Sequence, residues 1–159
     1  MEGLKVIFLD FDGVITCHNS KWSLMPDKMN MIRRICETTG AKIVISSSWR
    51  MNTLESTLAY ITDPKTPYVD GKPYSLSDFT IDVTCSLWDR EKYGRGDEIQ
   101  AWLDFHPDVT NYVILDDDVF DMLPCQEGHI IETSWESGIG EEDVETAIKI
   151  LSEKKWKRS

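Results

Sequence analysis

The sequence holds little that could cross-link a fold or bind a soft metal. Four cysteines (Cys17, Cys36, Cys85 and Cys125) are scattered through 159 residues, no Cys-x-x-Cys pair occurs, and the three histidines do not gather near them. A zinc site and a disulfide framework are both disfavoured, so the thiols are expected to be reduced. Long apolar runs are also missing. None approaches the roughly 20 residues that cross a bilayer. The N-terminal run Val6 to Leu9 is too short for a signal segment and ends in acids. The expectation is a cytoplasmic protein. Basic residues are scarce as well: 17 Lys and Arg against 28 Asp and Glu give a net charge of −11. That is the wrong sign for a chain held to nucleic acid mainly by phosphate neutralisation, although it leaves room for a substrate gripped locally. Internal repeats and low-complexity segments are absent.

What is present fits one domain, residues 1–159, with 41% apolar residues and enough length to bury a core unaided. Lys5 to Leu9 (KVIFL), Lys42 to Ser46 (KIVIS), Tyr112 to Leu115 (YVIL) and His129 to Glu132 (HIIE) are short apolar runs of the kind buried on both faces of a parallel sheet. Pro26 to Thr39 reads as a helix: Pro26 is in its first turn, Met29, Ile32, Ile35 and Cys36 form its stripe, and Gly40 stops it. Further helices are predicted over Asn52 to Ile61, from near Gly96 to Phe105, and over Glu141 to Lys154, where acids lead and lysines close. Strands alternating with helices predict an α/β, Rossmann-like, doubly wound parallel sheet. Residues 62–94 break the rhythm. Asp70-Gly71 signals a hairpin turn. Phe79, Ile81, Val83 and Cys85 alternate with polar residues as in a half-buried strand. The stretch reads as an insertion decorating the main sheet.

In an open parallel sheet the working site lies at the carboxyl ends of the strands. Three of the runs end in polar clusters: Asp10 and Asp12; Ser46 to Ser48 with Arg50; and Asp116 to Asp118 with Asp121. Carboxylates brought together repel, and a hard divalent cation resolves the conflict. The donors are all oxygens, which favours Mg2+ over zinc. Asp10 and Asp12, two positions apart on extended chain, can face one side while Phe11 faces the other.

These motifs resemble those of the haloacid dehalogenase (HAD) superfamily. Asp10-Phe11-Asp12-Gly13-Val14 resembles its first motif, Ile43 to Ser47 its second, and Asp116-Asp117-Asp118-Val119-Phe120-Asp121 its fourth. Arg95, opening Gly94-Arg95-Gly96-Asp97-Glu98-Ile99, is the best match to the third; Lys92 and Arg90 are weaker. Ser-Ser-Ser-Trp-Arg, Arg-x-x-Glu-Ile-x-x-Trp and Leu-Asp-Asp-Asp together are similar to the HAD domains of multidomain RNA-repair proteins.

The resemblance implies a magnesium-dependent phosphatase. Asp10 would be the nucleophile and Asp12 the general acid and base. Mg2+ would be held by Asp10, the carbonyl of Asp12 and Asp117, with Asp116 as the alternative. Asp121 would orient the metal's water ligands. Ser47, favoured over Ser46 by counting from Lys42, would hold the phosphoryl oxygens with Arg95. Arg50 would touch substrate or pair with an acid. The presence of Asp12 favours phosphoryl transfer over dehalogenation. The short chain between the first motif and Pro26 leaves no place for a large cap, which in that superfamily goes with large substrates. Residues 62–94 would be a small cap or flap.

The expected partner is a phosphorylated substrate, first of all a nucleic-acid end. A small metabolite or nucleotide is the alternative, and a non-catalytic binding module of the same fold the third reading. Nothing points to a membrane or to an obligate protein partner. Trp49 is either core or a stacking residue, Trp102 core, and His18 an exposed loop residue. The basic tail around Trp156 is a solvated helix end, with nucleic-acid contact as the alternative.

Overall fold

The computed structural model describes residues 3–22, 24–46, 68–69, 72–73, 75–85, 92–153 and 156–157. Its elements run β1 (Leu4–Leu9), α1 (Pro26–Thr39), β2 (Lys42–Ile45), β3 (Tyr68–Val69), β4 (Lys72–Pro73), β5 (Thr80–Val83), α2 (Arg95–Asp104), β6 (Val109–Asp116), β7 (Ile130–Glu132) and α3 (Glu141–Ser152). A short 3-10 turn at Pro124–Gln126 separates β6 from β7. The main sheet has five strands in the order β5-β2-β1-β6-β7, and every pairing in it is parallel. Among the described residues no helix is long and apolar enough to cross a membrane.

The apolar runs serve two cores because successive strand residues point to opposite faces. On one face Ile7, Leu9, Ile43, Ile45, Val113 and Leu115 pack with the stripes of α1 (Met29, Ile32, Ile35) and α3 (Val144, Ala147, Leu151). On the other, Val6, Phe8, Val44, Tyr112 and Ile114 meet Ile99, Trp102 and Leu103 of α2. The α1 stripe is the one expected, and Gly40 ends the helix in the left-handed conformation at φ 78°. Leu9 lies level with both Ile45 and Leu115, so Asp10, Ser46 and Asp116 come abreast at the carboxyl edge. Two backbone bonds fix that alignment: Asp10 N–H donates to Leu115 O at 3.0 Å and Ser46 N–H to Leu9 O at 2.9 Å.

Three expectations need correction, and a fourth lies out of view. The stretch 62–94 is more than a decoration. Its Tyr68–Val69 and Lys72–Pro73 strands do form the small antiparallel hairpin, but Thr80–Val83 is an edge strand of the main sheet, parallel to β2. That strand follows its alternation only in part: Phe79 and Val83 pack against the core as expected. Thr80 and Thr84 are buried, whereas Ile81 and Cys85 are exposed. The cause is a register shift: Ile43 pairs with Thr80 but Val44 with Asp82, so Ile81 falls outside the register and turns outward.

The closing helix stops at Ser152. Its first turn carries Glu141, Glu142 and Asp143 as expected, but Lys149 is the one basic residue of its last turn. Beyond it, Trp156 is anchored and not solvated, with its N–H donating to Thr110 O at 3.2 Å and its ring packed edge-on against Tyr112 at 4.8 Å. The helix expected over Asn52 to Ile61 lies outside the described residues.

Trp102 is core and also ties the edge strand to α2, its Nε1–H donating to Asp82 Oδ2 at 2.8 Å. Trp102→Phe keeps most of the apolar contact and removes the donor. The expected cost is about 1–2 kcal/mol, read as a lower urea midpoint with an unchanged slope.

Candidate active site

Asp10 is the first residue past β1 and is nearly buried. The chain then turns tightly, because the carbonyl of Phe11 accepts the N–H groups of Val14, Ile15 and Thr16 while its ring is buried in the core. Asp12 is held from the side: its Oδ1 accepts the Thr16 hydroxyl at 2.8 Å. Gly13 has φ 82°, and a Cβ there would stand 2.3 Å from Cγ of Asp117. The position therefore demands glycine twice over, for its left-handed backbone and for the room it leaves a carboxylate. Just past β7, the Thr133 hydroxyl donates to Gly13 O at 2.6 Å and locks the turn to the chain leaving the far edge strand.

The third cluster meets this turn as expected. One carboxylate oxygen from each of Asp10, Asp116 and Asp117 lies within 4.8 Å of the others. Their electrostatics are adverse. Burial, and after it the Asp10 carboxylate, push Asp116 up to about 9; Arg95 and the N–H of Asp118 offset this only in part. Asp117 is also raised, first by burial, with Asp118 and Asp12 adding repulsion. Three oxygen donors crowded at this range, two of them driven towards protonation, suit a hard divalent cation that takes carboxylate oxygens and completes its shell with water. The residues present therefore fit Mg2+.

Arg95 opens α2 on the far side. Its backbone N–H donates to Asp121 Oδ2 at 2.9 Å, its Nη1 lies 3.8 Å from Asp10 Oδ1, and its Nε lies 3.6 Å from Glu98. The start of α2 is pressed against the chain that carries Asp121, since a Cβ on Gly96 would come within 2.8 Å of the backbone at Asp121, Met122 and Leu123. Two buried donors, Ser46 Oγ just past β2 and Arg95 Nη1 at the start of α2, have no hydrogen-bond partner among the described residues. Buried polar atoms are seldom left so, and the complement of both is an anion's oxygens. Asp10, Asp12, Arg95, Asp116, Asp117, Asp118, Phe120 and Asp121 line an open cavity of about 210 Å³.

Most of the expected site residues thus converge. Ser47 and Arg50 lie outside the described residues, as does Trp49. Asp121 reaches the cavity and also fixes the N-terminus of α2, a contact the motif did not suggest. Three residues were missed. Thr16 and Thr133 carry no motif of their own, and their bonds arise only when distant loops meet. Phe120 sits within the acidic turn, yet its ring is 84% exposed at the cavity's mouth. A lone large apolar residue among acids, outside any periodic element, was the available signal.

A parallel α/β sheet with an Asp-x-Asp-Gly turn, an acidic second tip and a cation at a helix start defines a HAD-type domain. The profile of one family, described as the HAD domain in Swiss Army Knife RNA repair proteins, matches residues 6–144, and the chain belongs to that family. Neither curated proteins nor solved structures give a match.

Asp116 is raised in the folded chain, so that state binds a proton which the unfolded chain releases near pH 4. The metal-free protein should lose stability as pH climbs from about 4 towards 9. Asp116→Asn removes the group responsible. Its melting temperature in chelator should exceed that of the unmodified chain, by a margin that widens with pH across this window.

Proposed function

We propose that the chain is a magnesium-dependent phosphohydrolase that forms an aspartyl-phosphate on Asp10 and acts on a phosphate at a nucleic-acid end. The observation that carries the chemistry is the meeting of Asp10 with Asp116, Asp117 and Arg95 at one cavity, where the Nη1 of Arg95 is ion-paired with Asp10 but makes no hydrogen bond among the described residues. The family match supports the substrate class.

In this reading Asp10, Asp117 and Asp116, with the carbonyl of Asp12, hold the ion. Once bound, Mg2+ neutralises the crowded acids and draws charge from the phosphoryl oxygens. Arg95 and a serine of 46–47 orient those oxygens and stabilise charge as it develops. Asp10 attacks phosphorus; the bond to the leaving oxygen breaks as Asp12 delivers a proton to it. Asp12, now a carboxylate, takes a proton from water, and that water displaces Asp10 and frees phosphate. The hydrogen bond from Thr16 keeps Asp12 aimed through both halves. Asp121 holds Arg95 in place through its backbone.

Two measurements test this. Turnover of an aryl phosphate should require magnesium and fall on the order of a thousandfold or more in Asp10→Asn, the scale expected for a lost nucleophile. Equal turnover in that variant would refute the assignment. A 3′-phosphorylated oligonucleotide compared with sugar phosphates and nucleotides should be preferred by kcat/KM; preference for the metabolites would replace the end-processing reading with a small-metabolite phosphatase.

A further inference from the structure

On the carboxyl edge of the sheet that carries the acidic cavity stands an aromatic group that the proposed chemistry leaves unused. Trp22 is 42% exposed and Trp135 49%. Their rings are near-parallel, 14° apart in plane with centroids 6.2 Å apart. His18, also exposed, meets Trp135 edge-on at 4.8 Å and Trp22 at 6.5 Å. Large aromatic side chains left in water together, each with free surface, are not explained by the core.

The backbone beneath them is costly to build. Lys21 and Trp22 both adopt positive φ, 54° and 61°. Non-glycine residues rarely take this left-handed conformation, bulky ones least of all, and two in succession mark a loop held against its own preference. What holds it is a set of bonds from its neighbours. Lys21 N–H donates to His18 O and Trp22 N–H to Cys17 O, closing the turn. His18 N–H donates to Trp135 O at 2.9 Å and Asn19 N–H to Glu136 O at 3.0 Å, joining it to the loop after β7.

That second loop is fastened to the Asp10 turn. Thr133 donates to Gly13 O, and Ile139 N–H donates to Val14 O at 2.9 Å. At Gly138, with φ 81°, a Cβ would lie 2.6 Å from the same Val14 carbonyl. The aromatic group is therefore positioned by the same backbone that positions the acids, and stands on the same edge of the sheet.

We propose that His18, Trp22 and Trp135 form a platform on which unpaired bases of a single-stranded nucleic acid stack while its terminal phosphate enters the cavity. The proposal rests on the reading of that cavity as a phosphate site. Stacking suits this chain in particular. With a net charge of −11 it gains little from neutralising a phosphate backbone, whereas a π face attracts any base regardless of the protein's charge. Exposed Lys21 between His18 and Trp22 supplies one local cation for the strand. Two indoles in near-parallel planes offer flat surface to a base, and an unpaired base presents a whole face where a duplex presents only its edges.

The test uses full-length protein and a short, fluorescently labelled oligoribonucleotide with a 3′-phosphate, with Asp10→Asn in the background to prevent turnover. Anisotropy should give an affinity about tenfold or more weaker in Trp22→Ala/Trp135→Ala than in the parent, the order of loss for a removed stacking face. Trp135→Phe, which keeps a ring, should recover most of it, and serves alone if the double variant fails to fold. A blunt duplex of the same sequence should bind the parent more weakly than the single strand. In the catalytically intact chain, removing both indoles should lower the ratio of oligonucleotide to aryl phosphate kcat/KM by about tenfold. Equal affinity in the double variant, or equal binding of duplex and single strand, would overturn the platform. Strand binding that depends on the indoles without any phosphate turnover would leave the platform standing and sink the phosphohydrolase reading instead.

Discussion

The structure depends on holding like charges together. Asp10, Asp116 and Asp117 meet because Leu9 is in register with Leu115, and Asp116 is pushed towards protonation first by its burial and then by the Asp10 carboxylate. The repulsion cannot relax by strand slippage. A shift of one residue would turn every buried side chain of β1 or β6 to the wrong face of a sheet packed on both sides. The apolar strands thus supply the free energy that the acidic tips consume, and a divalent cation would return much of it.

Around this cluster the supporting contacts come from loops far apart in sequence. Gly13 leaves space for the Asp117 carboxylate, Thr133 bonds the carbonyl of Gly13, and Asp121 caps the helix that begins with Arg95. Each contact removes freedom from a group that must be placed within a fraction of an ångström for the proposed phosphoryl transfer. Gly96 acts at one remove, letting α2 approach the chain that follows the acidic turn closely enough for Arg95 to stand 3.8 Å from Asp10.

An acidic protein proposed to read a polyanion looks contradictory only if long-range charge is taken to govern binding. Screening over about 8 Å at physiological salt confines the effect of the distant acids. Within the cavity the balance is local: the carboxylates face a guanidinium, and the cavity is open at its mouth beside an exposed phenylalanine. An open mouth and the absence of a long segment between the Asp-x-Asp-Gly turn and α1 are compatible with a bulky substrate.

The sequence by itself determined four strands of the parallel sheet and the acids at their tips. Those follow from short-range rules: buried strands need unbroken apolar runs such as KVIFL and YVIL, and a helix with Pro26 at its start and Gly40 at its end announces its own limits. Tertiary structure decided the rest. The face of β5 depended on a register shift against β2 that its alternation could not reveal. The bond from Thr133 to Gly13 joins residues whose separation along the chain hides any pairing. The meeting of Trp22 with Trp135 required two loops to be laced together by backbone bonds. Local sequence encodes which surface each segment must bury; which distant polar groups then touch is fixed only once all those surfaces have been satisfied together.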